Sequence, residues 1–172
     1  MASKHLVRGV LAGMAGGLVA AWAMNEFAAT EGQKISDAVE TPAEKRLLDM
    51  QSDGEDATMK AADKIVETVT GGQHLTHEQR EIGGPIVHYS MGALMGGLYG
   101  ALAEYSPGAR SGFGTMFGGL LFASADVFGV PAMGLGRWPD QYPVSSLANP
   151  LASHLVYGAT TELVRRLVRP ML

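Results

Sequence analysis

Apolar positions along this chain gather into four long stretches, with one long polar stretch between the first and the second. The first, about residues 5–28, has no acid or base between Gly9 and Asn25. The second, 82–104, carries His88 near its start and Glu104 at its end, and the third, 111–136, holds Asp126 as its lone acid. The fourth, 148–168, contains His154 and Glu162 and runs into Arg165, Arg166 and Arg169. A helix needs roughly 20 mostly apolar residues to cross the hydrocarbon core of a bilayer, and each stretch meets that length. The pattern predicts an all-α fold: a four-span transmembrane helical bundle in which residues 1–172 form a single integral membrane domain. Residues 30–81 then form an acidic, helical, extramembrane insertion between spans one and two.

Helix signals inside the insertion argue against a floppy linker. Thr41, Pro42 and Glu44 have the spacing of a capped start with proline at the first helical position. From Asp56 to Thr70, Met59, Ala62, Val66 and Val69 fall on one helical stripe before Gly71 and Gly72 stop the run, and Thr76 with Gln79 repeats the capping spacing. The stripe predicts docking on the bundle mouth or on lipid headgroups.

Charge follows the same division. Residues 31–81 hold 12 of the 17 acids and 6 of the 13 Lys and Arg residues, so the formal net charge of −4 comes from this segment, and the rest is apolar and mildly basic. Lys4 and Arg8, then Arg110, then Arg165, Arg166 and Arg169 fall on one side of a four-span chain, while Arg137 and the insertion fall on the other. The positive-inside rule predicts both termini in the cytoplasm and residues 30–81 outside. Both histidines then lie near the starts of spans that enter from outside. Lys4 and Arg8 before an apolar run, with Ala21-Trp22-Ala23 as a cleavage-like site, also fit a secretory signal. The glycine content of that run, and the recurrence of its pattern later in the chain, favour a retained span.

Glycine, at 23 residues, lies mostly inside the apolar stretches. Gly9, Gly13 and Gly17 are four apart on the first span, and Gly92, Gly96 and Gly100 are four apart on the second, a spacing that lets helix backbones approach closely. Met14, Gly16, Gly17 and Leu18 reappear 102 residues on, and His88, Gly92 and Ala93 reappear 66 on as His154, Gly158 and Ala159. The chain therefore reads as two tandem helical hairpins, the first enlarged by the insertion.

His88 and Glu104 end the second glycine face, and His154, Gly158, Glu162 and Arg166 form its counterpart on the fourth span. With Asp126 they make a candidate polar cluster. A charge at mid-bilayer is costly, about 3 kcal/mol on insertion scales, so these acids must be paired, protonated or wet. They either fix helix packing by hydrogen bonding, or line a path for protons or small cations, or hold a bound polar ligand. A haem or a divalent metal between the two histidines is a further alternative, though an isolated histidine pair is a weak signal and no cofactor or metal is expected. Cysteine is absent, which excludes disulfide scaffolds, thiolate metal sites and thiol nucleophiles. There is no phosphate loop, no H-E-x-x-H and no nucleophile elbow, so no catalytic residue and no enzyme activity are expected. Basic patches with interleaved aromatics are also lacking, which argues against nucleic acid.

Four segments together resemble a known family: the Gly-rich first span, GPIVHYSMGALMGGLYGALAEY from Gly84, GGLLFASADVFGVPAMGL from Gly118, and HLVYGATTELVRRLVR from His154. They are similar to the YagU-like bacterial inner-membrane proteins, which combine a histidine-led second span, a Pro-x-Met/Leu-Gly-Leu turn after the third and a last span ending in Glu-x-x-Arg-Arg. The resemblance implies a multi-pass inner-membrane protein and supplies no agreed activity. Its pattern includes His88, Asp126, His154, Glu162 and Arg166. Members of the wider family carry an Asp-Glu pair in the third span, whereas here Asp126 is followed by Val127. The expected partners are the lipid bilayer and either a second copy or another membrane protein. A structural or accessory role is slightly favoured over proton or small-cation transport, because Pro131 alone interrupts a span and transport sites usually need unwound backbone.

Overall fold

The computed structural model describes residues 5–172; Lys4, counted in the charge reading, lies outside the described residues. Every regular element among them is helical. Helix α1 spans Leu6–Ala29, and the insertion folds into α2 (Glu31–Val39), α3 (Pro42–Gln51) and α4 (Ala57–Thr70). Helix α5 spans His77–Tyr105. A third helical segment follows from Pro107 to Ala132, with α6 at Thr115–Leu121, π-helical turns at Phe122–Gly129 and α7 at Val130–Ala132. Helix α8 spans Ala148–Val168. Two of these segments, Leu6–Ala29 and Pro107–Ala132, are long and apolar enough to cross a membrane.

Glycine sets the packing. A Cβ added at Gly13 would strike the Gly96 carbonyl, and one at Gly17 would strike the Gly92 carbonyl, so α1 and α5 run antiparallel with backbones in contact. The opposite face of α1 meets α8, where a Cβ on Gly16 would come within 2.7 Å of the Thr161 carbonyl. On the far side of α8, Gly114 and Gly118 face Gly158 and His154. The bundle order is therefore α5, α1, α8, α6. The second hairpin does not keep the register of the sequence repeat, in which Gly119 stands for Gly17. Gly118 makes the close approach instead, and a Cβ on Gly119 would meet only Leu155 Cδ2 at 3.7 Å.

Leucine, valine and methionine lie outside and small or polar residues inside. Leu11, Leu18, Leu94, Leu98, Leu120 and Leu163 are all exposed, while Ala12, Ala20, Tyr99, Thr161, Glu162 and Arg165 are buried.

The helix signals of the insertion hold. Capping boxes form at Thr41 with Glu44 and at Thr76 with Gln79, Asp56 caps α4, and Gly71 ends it at φ 75°, a left-handed conformation glycine adopts without strain. Helix α4 docks through Met59 and Ala62 onto Gly84 and Gly83 of α5. Val69 does not join that stripe and is 79% exposed, because the contact ends where α5 itself begins.

Several details differ from the sequence reading: α5 begins at His77 rather than at residue 82, and the third helical segment ends at Ala132 rather than at residue 136. Ser111, Gly112 and Phe113 depart from helical geometry, and Gly112 and Phe113 adopt positive φ, so regular helix in the third segment starts at Thr115 rather than Ser111. Pro131 is also not the lone internal proline, since Pro85 lies inside α5. Helix α5 tolerates it because Pro85 sits toward its N-terminal end, where the carbonyl that loses its partner belongs to exposed Glu81.

Candidate functional site

The six residues of the polar cluster do not stay together. They divide between opposite ends of the bundle, and α8 contributes to both, with His154 about 12 Å along the helix axis from Glu162.

At the arginine-rich end, Glu162 is fully buried and accepts four hydrogen bonds: from Tyr99 Oη at 2.9 Å, Arg165 Nε at 2.7 Å, Arg165 Nη2 at 3.1 Å and Arg166 Nε at 2.6 Å. Glu104 accepts from both Nε and Nη2 of Arg169, the latter at 2.8 Å, and from the His5 backbone N–H at 3.2 Å. Arg165 lies 3.9 Å from Glu104 and so joins the two carboxylates, while Arg166 stacks 4.6 Å above the Phe113 ring. The i, i+3 and i, i+4 spacing of Glu162, Arg165 and Arg166 makes the local pairs, and the close α1–α5–α8 packing brings Tyr99 and Glu104 to them. Every lone pair of Glu162 is used. This end is closed.

At the other end, α5 and the third segment diverge above the Tyr99–Phe117 ring contact, whose centroids are 4.9 Å apart. An open cleft of about 970 Å³ lies between them, backed by α1 and α8 and roofed by α3 and α4. His88, Asp126, His154 and Tyr142 line it, together with Met24, Met91, Met95 and Met133. His88 Nε2 lies 3.2 Å from the Ala21 carbonyl, and His154 Nδ1 lies 2.9 Å from the Pro150 carbonyl. A carbonyl only accepts, so each of these nitrogens carries the proton and the other ring nitrogen is left as an acceptor in the neutral ring. Asp126 Oδ2 stands 3.6 Å from His154 Nδ1, beyond hydrogen-bond reach, and among the described residues no hydrogen bond is made to its carboxylate. Its side chain is 39% exposed to the cleft.

The backbone around Asp126 is also unusual. The Val130 N–H bonds to the Ala125 carbonyl, five residues back, and Ser124 Oγ donates to the Leu120 carbonyl at 2.8 Å within the same widened turns. In that register the donor for the Asp126 carbonyl would be the nitrogen of Pro131, which has no N–H. Isolated π turns of this kind occur frequently at functional sites.

The structure thus groups His88, Asp126 and His154 in the cleft, and Glu104, Glu162 and Arg166 in the closed end. Arg165, Arg169 and Tyr99 belong to the closed end without having been counted in the cluster, although the spacing of the arginines from Glu162 was visible. Tyr157 was also missed; its hydroxyl donates to the Gly92 carbonyl at 2.7 Å and floors the cleft. Gly9, Gly100 and the other face glycines serve helix contact. Comparison with family models, curated proteins and solved structures finds no match to this chain.

Proposed function

We propose that this is a four-span bacterial inner-membrane protein of the YagU-like kind, with both termini in the cytoplasm, that takes a small cationic or polar guest into a cleft open to the outside. The observation that carries the reading is the convergence of His88, Asp126 and His154, remote in sequence, on one open cleft beside π-helical backbone. Supporting the membrane setting, α1, α5, the third segment and α8 carry their leucines outward and their glycines and polar groups inward, the arrangement expected where lipid replaces water. Two of the four pass on length and composition; α8 owes its lower hydropathy to the His, Glu and Arg it turns inward. The sequence favoured an accessory role for want of broken backbone. The π turns at Asp126 are a local departure from α-helical backbone in the third segment, and they support the transport alternative.

Two measurements test this. A reporter active only in the cytoplasm, fused near Asp53, is expected to be silent, and strong signal there would reverse the topology. With His88→Gln and His154→Gln, normal folded yield with lost proton or cation flux in vesicles is expected; reduced yield with unchanged flux per folded molecule would restore the scaffold reading.

A further inference from the structure

From this cleft we infer a more specific guest, resting on the reading above: a lipophilic organic cation, an apolar body bearing a protonated amine, that enters sideways from the outer leaflet between α5 and the third segment. Three features define it. The first is the balance of hydrogen-bonding groups. The Asp126 carboxylate accepts no hydrogen bond among the described residues and the carboxylates of Asp53, Glu55 and Asp56 stand at the rim, while the ring N–H groups of His88 and His154 and the hydroxyl of Tyr157 are already committed. Thr58, Ser124 and Ser146 donate within their own turns, which leaves the Tyr142 and Ser52 hydroxyls and the Asn25 amide as the few side-chain donors at the lining besides the two rim cations. A guest that brings N–H donors and positive charge completes this set, and an anion would face a carboxylate.

The second feature is size and wall chemistry. A bare or hydrated inorganic cation does not fill about 970 Å³, and the walls between Asp126 and the closed end include Met91, Met95, Leu121 and Ala125. Thioether side chains adapt to irregular apolar shapes, which suits a class of guests rather than one rigid molecule. Lys60 and Arg137 also reach the rim, but Lys60 pairs with Asp53 at 2.7 Å and Arg137 donates to the Gln51 carbonyl at 3.3 Å. Their charges sit at the roof, away from the apolar walls.

The third feature is the route. Helices α5 and α6 touch through the Tyr99–Phe117 rings at the closed end and make few other contacts, so the side of the cleft between them is where an apolar body would pass from lipid. The closed end, sealed by Glu162 and its arginines, gives the apolar body a floor.

The test uses the full chain in lipid nanodiscs and a dodecylamine carrying a mid-chain diazirine, with the matching dodecanoate as control. Light-driven crosslinking is expected on Met91, Met95 or Leu121, at least about tenfold stronger for the amine, the discrimination one charge-assisted hydrogen bond supplies. Asp126→Asn is expected to bring the amine down to the control level and Asp126→Glu to retain it. Met95→Trp, which fills the cleft without touching a polar group, is expected to abolish labelling in a protein that melts like the parent. Equal labelling by amine and carboxylate, or undiminished labelling in Asp126→Asn or Met95→Trp, would overturn the proposal. Wall labelling combined with unchanged flux in the histidine variants would leave the cation site standing and retire the transport reading.

Discussion

Glu162 and Asp126 are both acids on inward-facing helical surfaces, and their surroundings are opposite. Glu162 is enclosed by two arginines and a tyrosine that use its whole hydrogen-bonding capacity. Asp126 faces a cleft, with a histidine nearby but out of reach. A saturated buried cluster has nothing left to offer a ligand, and its components are needed where they stand. An unsaturated one tolerates change in the fold and is sensitive to it in binding. On the function proposed above, the first group serves stability and the second serves binding.

The largest effect separating them is expected from Glu162→Ala. It leaves Arg165 buried beside Glu104 alone and removes the acceptor of Tyr99, a loss of about 3–5 kcal/mol for a broken buried pair. Folded yield and melting temperature in detergent measure it. A variant that melts within a few degrees of the parent would break the distinction at its stronger side.

Next come the glycine contacts that hold both ends in place. Gly13→Ala and Gly17→Ala each drive a methyl into a backbone carbonyl of α5, which cannot swing away as a side chain can, and about 1–3 kcal/mol of overpacking is expected from each. Gly119→Ala meets only the Leu155 side chain, and relief of the glycine penalty in a helix makes it neutral or stabilising by up to about 1 kcal/mol. Equal losses at Gly17 and Gly119 would contradict the packing register.

A smaller effect is expected in the roof. Asp63 is held below the ordinary carboxylate range by its hydrogen bond to His74, helped by the Leu75 N–H, and Glu55 is held down by His77 and then by Arg80. Such groups favour the folded roof above the unfolded carboxylate pKa of about 4, and that contribution is lost as pH falls through their lower folded values. Protection of the amides in residues 57–70, measured against the intrinsic exchange rate at each pH, is expected to hold from pH 7 to about pH 5 and to fall toward pH 3, with Asp63→Asn less protected already at neutral pH. Unchanged protection across that range would mean that these contacts do not hold α4 in place.

The helices and caps were readable because they are local. Thr41 with Glu44, Thr76 with Gln79 and the four-residue glycine spacing each specify their own neighbourhood, and the contacts they predict occur. The division of the polar residues was hidden because it depends on how far α5 diverges from the third segment, a tertiary quantity. Glu104 and His88 share one face of α5, yet they lie at its two ends and meet different partners. The widened turns at Asp126 had one visible hint, Pro131 five residues on, but periodicity alone does not distinguish a π turn from a helix end. The repeat misled in its register, since the close approach falls on Gly118 rather than Gly119.

The most direct test of the division is the isosteric pair Asp126→Asn and Glu162→Gln, melted with and without dodecylamine. Each substitution removes one charge and almost no volume. Asp126→Asn is expected to melt within about 2 °C of the parent and to lose the amine-induced rise, whereas Glu162→Gln is expected to melt about 10 °C lower while its folded fraction still responds to the amine. If Asp126→Asn falls as far as Glu162→Gln, or keeps the full amine-induced rise, the cleft carboxylate serves the fold and the account is wrong.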